Sequence, residues 1–426
     1  MKKFRILPLI AIATLGGMTL PLVSCRKGNE DKEYDLTIIE SPNITVTPTK
    51  FKLNQELVIH YTTDPHYIID EDGSRITIGN QWYDVKSLPH DSSTVTLSYD
   101  KVNFETITVN FLAIQDQSNP LCFTSVGENS TIWYEINGSL PNIHIEYKYE
   151  GEGQWNDWDL EESSASQSEV LPIANGQKLY VRNTNEKLSE GYNNMFQFSM
   201  NGKISASGNI NSMINFADVL PAYCFYRLFA DCHNLISAPE LPTTELADYC
   251  YSYMFYDCTS LEEAPDLPAT TLANSCYEDM FENCSSLTTA PELPAKTLPY
   301  ACYYYMFWKC TSLEQTPTFS EEMKCDGPYC CSHMFDDCTS LVSISSLPKI
   351  DGQWPGHCLD QMFYNCSNLK IKENDPSGGN TLVLEIDLDA SLGDGQVDYM
   401  FAGCFSEPGY FHDTPTAGSK YYLAAQ

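Results

Sequence analysis

The sequence predicts a multidomain protein in which two N-terminal all-β domains precede an α/β solenoid with repeats of about 26 residues. Three observations lead to this fold class. Apolar and polar residues alternate in short runs before residue 200. One sequence motif then recurs at regular spacing towards the C-terminus. The 426 residues are also more than one hydrophobic core normally contains.

The first residues are typical of an export signal. Three positive charges within the first five residues precede an uncharged run, 6–22, which leads into Leu22-Val23-Ser24-Cys25. A basic start, an apolar run and a small residue before a cleavage site are the parts of a secretory signal peptide. The run is short for a membrane-spanning helix and is interrupted by glycine and proline.

Leu-x-Ser-Cys resembles the bacterial lipobox. This resemblance implies that 1–24 is a lipoprotein signal peptide and that Cys25 becomes the acylated N-terminus. Residues 25–35 are polar and predict a tether. We therefore expect an exported protein, lipid-anchored to the bacterial outer membrane and exposed at the surface, with the lipid as its membrane contact. An ordinary signal peptide and a retained span are the alternatives.

Two β domains are predicted before the repeats, at 36–116 and 118–212. Their runs alternate with period two, are rich in Thr, Val, Ile and Tyr, and are separated by Asp-Gly and Pro. Many short strands at this spacing indicate sandwiches of immunoglobulin-like type. The end of the second domain, 202–213, is predicted to cap the solenoid.

The repeats are marked by an aromatic pair that recurs in register over 213–426. The seven copies of the pair are Leu228-Phe229, Met254-Phe255, Met280-Phe281, Met306-Phe307, Met334-Phe335, Met362-Phe363 and Met400-Phe401. Their spacings are 26, 26, 26, 28, 28 and 38 residues, and the last copy follows an insertion at 370–398. A period in the twenties indicates stacked units, each of which needs its neighbours to bury its apolar face.

The sequence of each repeat predicts one helix and one short extended segment. Leu272, Cys276, Met280 and Cys284 recur every four residues, as one face of a helix does. The residue before the second cysteine is mostly Asp, Asn or Gly, which favours a left-handed helix end. The prolines that follow predict an extended segment. One strand and one helix per repeat is the leucine-rich-repeat arrangement.

Phe-x-x-Cys-x-x-Leu, followed by Leu-Pro, resembles the BspA-like leucine-rich repeats of bacterial surface proteins. The similarity covers Tyr223 to about Leu369, with Met before Phe and Ala-Pro-x-Leu-Pro as departures from the family pattern. It implies adhesion to host, matrix or bacterial surface proteins. The departures leave the particular ligand open.

Composition argues against several functions. The formal net charge of −33 disfavours nucleic acid and anionic lipid surfaces as partners. The chain lacks a Walker-type glycine loop, His-Glu-x-x-His and Gly-x-Ser-x-Gly, and its histidines do not recur with the repeat. We therefore predict that the protein is not an enzyme and has no cofactor.

Most of the seventeen cysteines are repeat positions. Pairs eight residues apart are predicted to be buried thiols in two columns, with disulfides between repeats as the alternative. Cys325 and Cys331 are additional to the pattern, and we expect a local disulfide between them. Zinc is the alternative there, but paired short spacings are absent, so no metal is predicted.

Aromatic residues supply the candidate binding sites. The predicted helix surfaces carry Tyr251, Tyr253, Tyr303, Tyr304, Tyr305 and Trp308. These side chains either contact a partner or pack between repeats. Trp155 and Trp158 either stack on sugars or close a sandwich edge.

The sequence thus predicts a surface-exposed, lipid-anchored binding or adhesion protein that uses the solenoid as its interaction surface. One alternative is a glycan-capture lipoprotein that binds sugars through its β domains. The other is a structural component of the envelope.

Overall fold

The computed structural model describes the greater part of the chain in two compact units, Met1–Asp116 and Gln117–Gln426. The described residues are 33–39, 44–53, 55–63, 67–71, 73–98, 101–102, 104, 106–115, 118–140, 143–160, 166–217, 219–319, 322–345, 347, 355–373, 376, 380–385, 397–404 and 418–423, with the backbone of 14–15 and 18–19. Over these ranges the secondary structure is β-strands, turns and two short 3₁₀ helices, without an α-helix.

The first unit consists of short strands and one 3₁₀ helix, Val85–Ser87. Its strands are β1 (Thr14–Leu15), β2 (Met18–Thr19), β3 (Glu33–Asp35), β4 (Thr37–Ile38), β5 (Ile44–Thr47), β6 (Lys50–Lys52), β7 (Leu57–Thr63), β8 (Tyr67–Ile69), β9 (Arg75–Ile78), β10 (Gln81–Asp84), β11 (Thr94–Leu97), β12 (Ile107–Asn110) and β13 (Ala113–Gln115). They form sheets in the orders β10-β9-β12-β4 and β11-β7-β5, together with three two-stranded ladders.

The alternation in the sequence explains the core of this unit. In β7, β9, β11 and β12 every second side chain is buried, because successive residues of a strand point to opposite faces. Ile59, Ile76, Val95 and Val109 are fully buried in one shared cluster. β3, which lies in the predicted tether, pairs with β6.

The second unit begins with nine strands and a 3₁₀ helix, Ile210–Ile214. These strands are β14 (Leu121–Ser125), β15 (Ser130–Asn137), β16 (Ile145–Tyr149), β17 (Asn156–Asp157), β18 (Leu171–Ile173), β19 (Lys178–Asn183), β20 (Met195–Asn201), β21 (Ile204–Ser207) and β22 (Leu235–Ser237). They form sheets in the orders β17-β16-β19-β14-β21-β22 and β18-β15-β20. The parallel pairing of β21 with β22 carries the first sheet into the repeats.

Five further strands lie among and after the repeats. They are β23 (Thr297–Leu298), β24 (Lys324–Cys325), β25 (Ile371–Glu373), β26 (Thr381–Glu385) and β27 (Lys420–Leu423). β23 pairs with β24 in parallel, and β25, β27 and β26 form an antiparallel sheet. One hydrophobic cluster extends from Leu121 to Tyr421. Among the described residues we find no helix with the length and apolar character needed to cross a membrane.

The predicted leucine-rich-repeat α/β solenoid is wrong, because the segments predicted as helices are successions of turns. Backbone N–H groups alternate between two kinds of partner. The N–H groups of Ser252 and Met254 donate to the carbonyl three residues earlier, whereas those of Tyr251, Tyr253 and Phe255 donate to the next repeat. An α-helix would direct each of these groups to the fourth preceding residue.

Left-handed residues explain how the turns follow one another. Tyr249, Tyr253 and Asp257 have φ of 57°, 56° and 58°, and equivalent positions recur in the other repeats. The left-handed conformation predicted before the second cysteine is confirmed in all seven copies, from Asp231 to Gly403. It closes one turn of a series of turns, however, and not a helix.

The four-residue spacing therefore reflects a turn period. Residues four apart advance by about 40° around a helix of 3.6 residues per turn, so the two steps from Cys276 to Cys284 would rotate by about 80°. In the structure Cys276, Met280 and Cys284 are all fully buried. A period of four turn residues keeps them on the same side.

Equivalent residues of successive repeats stack in columns. The phenylalanine column comprises Phe198, Phe229, Phe255, Phe281, Phe307, Phe335, Phe363 and Phe401, with ring centroids 5.3–5.6 Å apart. The prolines lie in extended segments that join through single parallel bridges, such as Glu263 with Thr289. The all-β character predicted for the N-terminal domains is confirmed, since the described strands there form several small sheets, none of them closed, while their immunoglobulin-like type stays a prediction.

Candidate ligand-binding face

The structure separates the predicted aromatic surface into buried and exposed members. Tyr251 and Tyr303 are each 1% exposed and stack in a column with Tyr277, so neither can contact a partner. Their assignment to the binding surface is therefore wrong. Tyr253, Tyr304, Tyr305 and Trp308 remain partly exposed.

Two positions of each repeat, the second residue before the column phenylalanine and the residue after it, lie beside their equivalents in neighbouring repeats and include both partly exposed and buried side chains. The first position holds Arg227, Tyr253, Asp279, Tyr305 and His333, and the second holds Tyr256, Glu282, Trp308 and Asp336. We call these nine residues, with Tyr226, Glu278 and Tyr304, the tyrosine face. The left-handed turn at the first position, as in Tyr253, places the members of successive repeats side by side.

Aromatic rings contact one another along the face. Tyr305 lies 4.4 Å from Tyr304, 4.7 Å from Trp308 and 4.3 Å from the imidazole of His333, measured between ring centroids. The His333 ring is stacked on Tyr305 at 15° and contacts the Asp336 carboxylate at 2.9 Å. This carboxylate therefore orients the imidazole beneath a tyrosine ring.

The face already holds its own cations on aromatic rings. The Arg227 guanidinium lies 5.7 Å from the Tyr253 ring centroid and 5.2 Å from that of Tyr256. The Lys309 ammonium lies 3.9 Å from the Trp308 ring centroid. These distances lie within the range of cation–π attraction.

Three carboxyl groups lie at the centre of the face. Asp279 and Glu282 are 3% and 8% exposed, and Glu278 is partly exposed. Burial, together with the hydrogen bond to the neighbouring Glu282 and the charge of Glu282, raises the pKa of Asp279 to about 9. Burial likewise raises the pKa of Glu278 and of Glu282. The centre of the face therefore retains protons that exposed carboxyl groups would lose.

Two buried polar atoms on the face have no hydrogen-bond partner among the described residues. They are the indole Nε1 of Trp308 and the Oδ1 of Asp336. Buried polar groups are normally paired, and an exception calls for an explanation. One buried donor and one buried acceptor at the fourth and fifth repeats thus lack a partner among the described residues.

The two predicted sugar-stacking residues have different surroundings. Trp158 is 1% exposed and donates from Nε1 to the Glu169 carbonyl at 2.8 Å, so sugar stacking by Trp158 is wrong. Trp155 is partly exposed and contacts Lys148 and Arg182, whose cationic groups lie 4.8 and 4.3 Å from its ring centroid. These three residues line a cleft of about 290 Å³.

The remaining predicted residues concern sulfur chemistry. Cys25 lies outside the described residues, so its lipidation stays a prediction. The other sixteen cysteines are buried and form no disulfide bonds. The sulfurs of Cys325 and Cys331 lie within 4.8 Å of each other and of Cys330. The disulfide predicted between Cys325 and Cys331 is not formed in the structure, where both residues are thiols.

Sequence reasoning missed Arg227, Asp279 and Glu282. Aligning the repeats on their Met-Phe pairs places these residues at the positions of Tyr253, Tyr305 and Trp308, and this signal was present in the sequence. The predicted surface included only aromatic side chains, so the charged residues at the same positions were not part of it.

Comparisons with known proteins supply no relative. No protein-family model, no curated protein and no solved structure matches this chain. The resemblance to BspA-like surface proteins therefore stays a prediction from the sequence.

Proposed function

We propose that this chain is a binding protein that holds a basic polypeptide segment of its partner on the tyrosine face. The observation that carries the proposal is the placement of Arg227 on Tyr253 and Tyr256 and of Lys309 on Trp308. Rings that accept the chain's own cations can accept those of a partner. Tyr304 and Tyr305 are partly exposed, and both lie near enough to Asp279 for its charge to raise their pKa.

Charge supports the same class of partner. The chain carries 57 acidic and 24 basic residues, so its field attracts cationic segments and accelerates their encounter. A lysine or arginine side chain next to Glu278 and Asp279 would stabilise their ionised forms. Such a ligand would favour proton release at the centre of the face.

Export and lipid anchoring at Cys25 belong to the proposal as its sequence-based part. A protein tethered to the outer membrane would meet partners outside the cell, among them host, matrix and bacterial surface proteins. The proposed partner is thus a protein with an exposed lysine- and arginine-rich segment.

The test is a titration of the whole chain with a labelled Lys/Arg-rich peptide. We expect the double variant Tyr304→Ala/Tyr305→Ala to weaken binding by about tenfold or more, which equals about 1.4 kcal/mol. Trp82→Ala is the matched control, because Trp82 is 57% exposed on the first unit and lies outside the face. Equal affinity for a Glu-substituted peptide would refute the proposal.

Glycan capture is the second candidate function, and the Trp155 cleft favours it. Lys148 and Arg182 are cationic, so the cleft suits an acidic sugar better than a neutral one. Retention of the chain on an acidic-polysaccharide resin, abolished by Trp155→Ala and unchanged by Tyr304→Ala/Tyr305→Ala, would favour this function over the first.

A further inference from the structure

The fifth repeat replaces a buried ring by a thiol. The column that stacks Phe225, Tyr251, Tyr277 and Tyr303 continues at the equivalent position with Cys331. A cysteine fills much less volume than a tyrosine, and protein interiors leave few voids. The additional space allows a second sulfur to approach.

That second sulfur is Cys325, which comes from outside the turn series. It ends β24, whose parallel pairing places Cys325 opposite Leu298 of the preceding repeat. The N–H groups of Asp326 and Gly327 both donate to the Leu298 carbonyl. A Cβ on Gly327 would lie 2.1 Å from the backbone nitrogen of Tyr300, so this close approach requires glycine.

Four thiols converge as a result. The sulfurs of Cys325, Cys330 and Cys331 all lie within 4.8 Å of one another, and Cys325 also makes a thiol contact with Cys358 of the sixth repeat. All four residues are buried. The sequence conceals this arrangement, because Cys358 follows Cys331 by 27 residues and no paired short spacing includes it.

We propose that Cys325, Cys330, Cys331 and Cys358 form a binding site for a thiophilic d¹⁰ metal ion, Zn²⁺ or Cu⁺. Tetrahedral zinc with a Zn–S distance of about 2.3 Å separates its sulfurs by about 3.8 Å. The sulfurs of Cys325, Cys330 and Cys331, which lie within 4.8 Å of one another, therefore need to approach by about 1 Å at most. Thiolate ligands suit both ions, and metal binding releases the thiol protons to solvent.

The remaining repeat cysteines do not share this arrangement. Cys284 and Cys310, for example, each donate to a phenylalanine carbonyl of the preceding repeat at 3.1 Å. Among the described residues, the cluster around Cys325 is the one group of three or more cysteines with sulfurs this close. We therefore expect one tight site per chain.

The experiment uses the whole chain, purified with its thiols reduced and without oxygen. It is titrated separately with Zn²⁺, Cu⁺ and Co²⁺, and bound metal is counted by mass spectrometry after dialysis. We expect one retained ion per chain and, for Co²⁺, the intense near-ultraviolet charge-transfer absorption of thiolate ligation. The Zn²⁺ and Cu⁺ titrations distinguish the two candidate ions.

Cys325→Ser is the test variant and Cys276→Ser the matched control. Cys276 is an equally buried repeat cysteine outside the cluster. We expect Cys325→Ser to weaken metal retention at least tenfold and Cys276→Ser to leave it unchanged. Metal retention by Cys331→Ser provides a second, independent test. Circular dichroism checks that each variant is folded.

Two results would overturn the proposal. One is a reduced, folded chain that retains no metal although all its thiols titrate. The other is a Cys325–Cys331 disulfide, found by peptide mapping of protein isolated without reductant, because a disulfide removes two of the four ligands.

Discussion

The thiol of Cys258 donates to the carbonyl oxygen of Phe229 in the preceding repeat at 3.1 Å. The same bond recurs from Cys232, Cys284, Cys310, Cys338, Cys366 and Cys404, at 2.8–3.2 Å. Cysteine thus acts here as a small apolar residue that also provides a weak donor. The bond explains why this position favours cysteine over alanine or leucine.

Removing one such thiol should destabilise the repeats. We expect Cys284→Ala to lower the free energy of unfolding by about 2 kcal/mol, because a small cavity forms and the Phe255 carbonyl loses its thiol donor. Urea unfolding followed by circular dichroism measures the change. Cys122→Ala, in β14 outside the repeats, is the comparison, and an equal loss there would argue against the role of the bond.

The stability of the folded chain should depend on pH through Asp279. Its pKa is about 9 when folded and 3.8 as the unperturbed reference, so between these values the folded chain holds a proton that the unfolded chain has lost. Stability therefore falls as pH rises through this window, by about 1.4 kcal/mol for each unit of raised pKa.

Asp279→Asn should remove this dependence, because the amide does not titrate. We expect the variant to be more stable than the parent at pH 8 and similar to it near pH 4. Thermal melts across this range measure the difference. Asp266→Asn, at an exposed position, should keep the parental slope. Parallel slopes for the parent and Asp279→Asn would show that Asp279 is not the titrating group.

Lys309 tests the left-handed turns, since its φ is 59°. Glycine adopts this conformation without steric cost, whereas a β-branched residue does so poorly. We expect Lys309→Gly to preserve or raise stability by up to about 1 kcal/mol, and Lys309→Val to lower it by about 1–2 kcal/mol. Chemical denaturation measures the free energy of unfolding of both variants. Equal values for Lys309→Gly and Lys309→Val would mean that residue 309 does not adopt the left-handed conformation in solution.

Binding of a basic peptide to the tyrosine face should weaken with salt. Exposed charges are screened over about 10 Å at 0.1 M ionic strength and about 3 Å at 1 M. We expect a loss of about tenfold or more in affinity over this range, in fluorescence anisotropy titrations. Salt-independent affinity would indicate that aromatic packing, and not charge, dominates the contact.

Much of the local structure could be predicted from the sequence. Period-two alternation predicts strands at Ile76–Ile78 and Ile132–Ile136, and the structure has strands there. The regular recurrence of the Met-Phe pair correctly predicted buried columns. A residue that occurs once in each stacked repeat contacts the equivalent residues of the neighbouring repeats. The left-handed residue before the second cysteine was predictable for the same reason.

The choice between helix and turns was not predictable in this way. A four-residue spacing of apolar residues suits both, and local preference cannot tell where each N–H group finds its acceptor. Five of the nine N–H groups in Tyr249–Asp257 find it in the next repeat, 25 residues further along the chain. Only the stacked neighbour supplies that acceptor.

The repeat, its period, the recurring apolar positions and the acidic charge can all be read from the amino-acid sequence. The tertiary structure decided that Tyr251 is buried while Tyr253, two residues later, is partly exposed. It also decided that Cys325 and Cys358 meet across repeats. The physical reason is common to both, since the turns obtain their direction from hydrogen bonds to the adjacent repeat. Which side chains share a surface therefore depends on contacts that no single repeat contains.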